Sequence, residues 1–196
     1  MKPTHNSFVT AVKMILFFTV LTGLIYPLMI TGIAQAFFKE KANGSLVTKD
    51  GKVYGSKLIG QQFADSGYFW SRPSAVAYGT MPAGGSNLGP TSSILRKQVK
   101  ERRAAFISAN YLDEKTAVPS EMLFASGSGL DPHISTQSAL LQVNRIARFR
   151  KFNEAKTGKL RALVLNCVEK PQFTLFGEER VNVFMLNLEL DKLDKK

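Results

Sequence analysis

The chain has 196 residues, of which 44% are hydrophobic and 21% charged, a length and composition that fit one domain of ordinary size with an appendage and exclude wholesale disorder. Its one cysteine, Cys167, excludes an internal disulfide framework and a Cys-rich zinc site, and the two distant histidines, His5 and His133, offer no clustered metal ligands, so no metal or bound cofactor is expected. The 26 Lys and Arg against 15 Asp and Glu leave a net charge of +11, which calls for a negative partner: nucleic acid, anionic lipid or an acidic protein surface.

From Met14 to Phe38 the chain runs twenty-five residues without a charge, between Lys13 and Lys39. At about 1.5 Å per residue the run covers roughly 37 Å, enough to cross a hydrocarbon layer of about 30 Å with some tilt. A cleaved signal peptide is the rival reading, because Ala34-Gln35-Ala36 has the small-x-small form of a cleavage site. The twenty apolar residues before Ala34 exceed the roughly 7–15 of a signal core, so the segment reads as a retained transmembrane helix. Pro27 removes a backbone donor at mid-span and is expected to kink the helix. Thr19, Gly23, Pro27 and Ala34 share a face narrow enough for another helix to approach. Positive residues flank the span on both sides, and long C-terminal domains cross largely regardless of charge, so charge counting leaves the orientation open.

Residues 39–196 hold most of the charge, 24 basic and 15 acidic side chains, and read as one domain. Asp50-Gly51 between two short β-prone runs predicts a hairpin. A turn-rich stretch, Tyr68 to Thr91, precedes a helix capped at Thr91 or Ser92, with Ile94, Leu95, Val99, Ala105, Phe106 and Ala109 on one face and Arg96, Lys97, Lys100, Arg102 and Arg103 on the other. A second helix is capped near Ser135, its apolar stripe made of Leu140, Val143, Ile146 and Ala147, with Gln142, Arg145, Arg148 and Arg150 around the rest. A third runs through Leu160, Leu163, Val164 and Cys167. Arg180 to Leu190 reads as a closing strand with Val181, Val183, Met185 and Leu186 on its buried surface. The fold class is α+β.

Three short motifs resemble catalytic ones and fail on chemistry. Gly84-x-x-x-x-Gly89 has the glycine spacing of a phosphate loop, but Pro90 stands where lysine is needed. Ala155-Lys156-Thr157-Gly158 is similar to the phosphorylation motif of P-type ATPases with alanine in place of the aspartate nucleophile. Ser126-Gly127-Ser128-Gly129 lacks the first glycine of a nucleophile elbow. The five basic residues between Arg96 and Arg103 come without a nucleic-acid motif and with the aromatics on the apolar side, so nucleic acid is not the expected partner.

Taken together, the loops resemble one family closely, the KdpC family of the Kdp potassium-transporting P-type ATPase. The matching blocks are Tyr26-Pro27-Leu28, Ala42-Asn43-Gly44-Ser45-Leu46, Gly55 through Gln61, Arg72-Pro73-Ser74-Ala75, Gly84 through Thr91, Ser126 through Ser135, Gln142-Val143 with Arg145-Ile146-Ala147, and Val181-Asn182-Val183. They run in family order over most of the chain. The departures are Ser92-Ser93, where the family often has Asn-Pro, and the more basic Arg148-Phe149-Arg150-Lys151.

The resemblance implies a cytoplasmic tail (residues 1–13), one span (14–38) in the cell membrane and an extracytoplasmic domain (39–196). It also implies a non-catalytic accessory role in assembling an ATP-driven potassium-uptake pump. Its implied partners are a channel-like potassium-translocating subunit, the phosphorylated ATPase subunit and membrane lipids. The family is also described as raising the ATP affinity of the ATPase subunit, so ATP would enter through the complex, and Gln142 is the residue whose amide suits an adenine edge. The same glutamine also reads as a polar helix residue bonding a loop. Partner contacts are expected at Gly23 and Pro27 in the span and at Arg72, Asn87, Asp131 and His133 in the domain. The other reading is an independent membrane-anchored binding protein or hydrolase.

Overall fold

The computed structural model describes residues 4–49 and 51–194. The described chain divides into two units, one up to Ser56 and one from Lys57 onward, which places the hairpin with the apolar helix and not with the residues that follow it.

In the first unit, helix α1 (Thr4–Val20) runs into a π turn (Leu21–Ile25) and then helix α2 (Tyr26–Phe37). Ser7–Phe37 is one helical stretch long and apolar enough to cross a membrane, and Leu16, Phe17 and Leu28 stand exposed along it. The π turn lies immediately before Pro27. Proline has no N–H to donate, and its ring crowds the carbonyl four residues back, at Gly23, so a widened turn relieves the clash at that point. The Tyr26 N–H reaches the Leu21 carbonyl across this turn, and the Thr22 hydroxyl donates to the Phe18 carbonyl at 2.6 Å.

A short helix α3 (Lys39–Ala42) follows, and Asn43-Gly44-Ser45 turn the chain out of it. Gly44 and Ser45 both take left-handed backbone angles, φ 82° and 47°, while the Ser45 N–H reaches back to the Glu40 carbonyl. Strands β1 (Leu46–Lys49) and β2 (Lys52–Ser56) then form the expected antiparallel hairpin, with a bulge between Val47 and Thr48. Gly51 supplies the left-handed turn position at φ 73°; Asp50 lies outside the described residues.

In the second unit, helix α4 (Ser93–Asn110) starts where the Ser92 hydroxyl accepts the Leu95 N–H. A 3-10 turn (Ser120–Met122) and strand β3 (His133–Ile134) lead to helix α5 (Thr136–Phe149), capped by the Ser135 hydroxyl, and helix α6 (Glu154–Asn166) is capped by Asn153. Strands β4 (Val168–Glu169) and β5 (Arg180–Asn182) complete an antiparallel sheet of order β3-β5-β4, and helix α7 (Val183–Asp194) closes the described chain. Helix α5 packs against both α4 and α6. The core between them is built from Phe69, Phe106, Ile134, Val143, Ile146, Leu160, Val164, Val181, Val183, Leu186 and Leu190.

Three expectations are corrected. Arg180 to Leu190 is not one strand: β5 ends at Asn182, whose side-chain oxygen accepts the Met185 N–H at 3.1 Å and caps α7. The buried residues beyond it, Val183, Phe184, Leu186, Asn187 and Leu190, keep a helical period, and the Val181, Val183 alternation is too short to override it. On α4 the buried residues are Phe106, Ile107 and Asn110, confined to its last turns, while Ile94 and Ala105 are exposed. On α5 the buried stripe is wider than its apolar residues: Gln142 and Arg145 are buried and Leu140 is exposed.

The reason for that last burial is the loop from Asp65 to Ser71. It crosses the core without a strand partner, so its peptide groups need side-chain partners. Asn187 from α7 brackets Phe69, accepting its N–H at 2.8 Å and donating to its carbonyl at 3.0 Å. Gln142 does the same for Trp70, at 2.7 and 3.3 Å. Arg145 donates to the Ser66 carbonyl, to Asn110 and to Gln142, and lies 3.8 Å over the Trp70 ring. The added base at the end of α5 is also used internally: Arg148 stacks on Tyr111, and Arg150 pairs with Asp191 and Asp194 of α7.

Candidate functional site

Three loops rich in glycine and serine interlock at one end of the three-stranded sheet. The Ser126 N–H donates to the Pro73 carbonyl, Gly84 to Ser128, and Gly60 to Leu130. Gly129 takes φ 71°, and a Cβ there would lie 2.8 Å from the Gly84 carbonyl oxygen, so the second and third loops approach more closely than any side chain permits. This interlock brings Arg72 and Asp131 together across fifty-nine positions of sequence, with Nη1 2.7 Å from Oδ2.

The other Asp131 oxygen accepts the His133 N–H at 3.0 Å and lies 3.5 Å from the His133 ring. On the far side of that ring Glu169 of β4 is 3.8 Å away, and Glu169 in turn pairs with Arg180 of β5 at 3.1 Å. Arg72, Asp131, His133, Glu169 and Arg180 therefore form a chain of ionisable groups, and all but Glu169 line a cleft of about 280 Å³ together with Glu121, Glu178 and Glu179. The Glu121 carboxylate is turned toward α5, where it accepts from the Ser135 N–H and the Ser138 hydroxyl. Burial raises its pKa, but these bonds outweigh it and hold the group below the ordinary carboxylate range. Arg72 Nε is buried in the cleft wall without a hydrogen-bond partner in the described chain.

Burial also works against an ionised Asp131, and the bonds from His133 and Arg72 prevail, lowering its pKa from 3.8 to about 2. A depressed carboxylate pKa gives stability that is complete above pH 3.8 and lost as pH falls through about 2. The shift corresponds to about 2 kcal/mol. Asp131→Asn is expected to remove that acid-labile part, so that urea unfolding measured from about pH 5 down to about pH 2 falls less steeply than in the parent chain; parallel slopes would contradict the assignment.

Of the expected contact residues, Arg72, Asp131 and His133 meet in this cleft. Asn87 does not line it; it is exposed at φ 52° in the glycine-rich loop, next to Leu88, which lines a separate apolar groove with Pro90, Leu95, Val99 and Phe124. Gly23 and Pro27 lie in the apolar helix of the first unit, at the π turn and just after it. Gln142 is fully buried; its two N–H groups go to the Trp70 and Ser138 carbonyls and its oxygen takes the Trp70 N–H and Arg145. All four of its hydrogen-bonding positions are thus used inside the chain. Glu121, Glu169 and Arg180 were not singled out by the sequence. Arg180, flanking the Val181-Asn182-Val183 block, is the one that carried a signal.

Residues 8–192 match the family described as K+-transporting ATPase, c chain. The chain belongs to the KdpC family. It is 45% identical over 181 residues to a potassium-transporting ATPase KdpC subunit of Leptospira interrogans, covering 92% of this chain and 91% of that one. It is 46% identical to the KdpC subunit of Methylococcus capsulatus, covering 96% and 98%, and 48% identical to that of Sorangium cellulosum, covering 92% and 95%. In this chain the blocks that carry the resemblance are the ones that lock together: Gly60, Pro73, Gly84 and Ser126 to Leu130 bond loop to loop, Arg72 and Asp131 reach the cleft, Gln142 and Arg145 hold the loop from Asp65 to Ser71, and Asn182 caps α7.

Proposed function

We propose that this chain is the non-catalytic accessory subunit of a K+-transporting ATPase, needed for assembly of the complex. Its likeness to chains named as KdpC subunits, at 45–48% identity across more than nine-tenths of each, carries this reading. An independent anchored binding protein or hydrolase is not favoured, since those relatives bear the name of a pump subunit.

In this reading the helix Ser7–Phe37 anchors the chain in the cell membrane with its N-terminus in the cytoplasm, and Gly23 and Pro27 face partner helices. The unit from Lys57 onward lies outside and docks on the channel-like potassium-translocating subunit through the Arg72, Asp131, His133 cleft, with Asn87 at the margin of the contact. The partly buried ion pair there suits docking, because a fixed Arg and Asp offer a partner an oriented donor and acceptor. ATP binding belongs to the ATPase subunit: Gln142 would have to abandon Trp70 before it met an adenine. Of the basic residues on α4, Arg102 and Arg103 are bound to the carbonyls of Leu123 and Thr116 and Lys97 lies 3.9 Å from Glu101, so the exposed Arg96 and Lys100 are the ones offered to lipid headgroups or an acidic surface.

Co-expression with the two larger pump chains tests the reading. A tag on this chain is expected to bring down both from detergent, with potassium-stimulated ATPase activity. Recovery of a stable lone chain from cells that contain the other two would overturn it.

A further inference from the structure

The turn between β4 and β5 has no part in the cleft's ion pairs, and it gathers exposed apolar side chains within four residues. Gln172 through Arg180 are all exposed, and among them Phe173, Leu175 and Phe176 expose 85%, 80% and 68% of their surface. Large apolar side chains so uncovered and so close together mark a contact surface.

The turn is ordered by its own backbone. The Gln172 N–H donates to the Phe176 carbonyl, the Leu175 and Phe176 N–H groups to the Gln172 carbonyl, and the Thr174 N–H to the Pro171 carbonyl. Phe173 and Thr174 both hold left-handed angles, φ 54° and 61°, without being glycine. The tip can therefore leave water with the Gln172, Thr174, Leu175 and Phe176 N–H groups already paired.

Glu178 and Glu179 follow the tip directly and line the charged cleft with Arg180, so tip and cleft form one continuous face. Two carboxylates at the base of an apolar tip oppose insertion among anionic headgroups and favour an apolar crevice with cationic side chains at its mouth. We propose that the β4–β5 turn is an apolar anchor that seats Phe173, Leu175 and Phe176 in such a crevice on a protein partner within the pump. This inference rests on the accessory-chain reading above.

The test uses the full complex in nanodiscs of phosphatidylethanolamine and phosphatidylglycerol, with p-benzoyl-phenylalanine in place of Phe173. A photo-crosslink to another protein chain is expected. Retention of the double variant Phe173→Ser, Phe176→Ser on the complex should fall by roughly tenfold or more, with the unfolding midpoint of the isolated chain unchanged because both rings are already exposed. A crosslink to lipid alone, together with tighter binding of Glu178→Lys, Glu179→Lys to phosphatidylglycerol vesicles, would overturn the proposal in favour of membrane insertion. No crosslink with undiminished retention would overturn it as well. The two readings fail separately: a parent chain that never co-purifies refutes the assignment to the pump, whereas one that co-purifies without crosslinking from position 173 refutes only the anchor.

Discussion

Arg145→Ala is expected to destabilise the unit that begins at Lys57 by about 3–5 kcal/mol, a large share of the ~5–15 kcal/mol that holds an ordinary domain together. Arg145 is 2% exposed, and its guanidinium reaches three acceptors, Asn110 Oδ1 at 3.0 Å, Gln142 Oε1 at 2.8 Å and the Ser66 carbonyl. Burial lowers its pKa to about 10, with Asp65 pulling the other way, so it stays charged at neutral pH. Truncation strips Asn110 Oδ1 and the Ser66 carbonyl of this donor, leaves Gln142 Oε1 with the Trp70 N–H alone, and uncovers the face of Trp70.

Arg145→Lys should recover only part of the loss, because a single ammonium cannot serve three acceptors spread around a planar fork. Trp70 is the only tryptophan, so its emission reports both effects. Urea unfolding of the full chain in detergent should show a lowered midpoint, and the folded variant should already emit to the red. An unchanged midpoint would mean that Asn187 and Gln142 hold the loop from Asp65 to Ser71 without Arg145.

Arg145 also shows where sequence reading stops. The N-caps at Ser92 and Ser135, the hairpin and the long apolar helix are legible because a few adjacent residues decide each: a hydroxyl three residues from a free N–H, a glycine at a left-handed turn, a run without charge. Gln142 and Arg145 read as the polar flank of α5, since nothing near them in sequence announces that a loop some seventy to eighty residues earlier needs its peptide groups satisfied. The strand expected from Arg180 to Leu190 fails for the same reason. Three residues alternate as a strand does, but Asn182 bonding Met185 starts a helix, and only the packed core chooses between the two periods. At the cleft, Arg72, Asp131 and His133 were legible through the family resemblance. Glu121 and Glu169 were not, because their places depend on the cap of α5 and on the pairing of β4 with β5.

Gly60→Ala is expected to be strongly damaging for so small an addition beside the cleft. A Cβ at Gly60 would stand 2.6 Å from the Asp131 carbonyl oxygen, 3.0 Å from its carbon and 3.1 Å from the Leu130 oxygen. All three are backbone atoms, which cannot rotate aside as a side-chain end would. The Gly60 N–H also donates to the Leu130 carbonyl at 2.7 Å, so separating the loops sacrifices that bond too. Overpacking and the lost bond together imply a destabilisation of about 2–4 kcal/mol.

The displacement falls on the segment that carries the Asp131 carboxylate. The Arg72 pair and the His133 N–H bond should lengthen, and the Asp131 pKa should return from about 2 toward 3.8. Gly127→Ala is the control, since a Cβ there meets nothing within 4 Å. Urea midpoints of the two variants, read beside the titration of the Asp131 carboxyl by NMR, separate the cases. If Gly60→Ala matches Gly127→Ala in both, the close approach of these loops does not set the charge of the cleft. If Gly60→Ala lowers the midpoint and raises the Asp131 titration, a methyl group on a loop more than seventy residues away has loosened the ion pair that the partner subunit is proposed to meet.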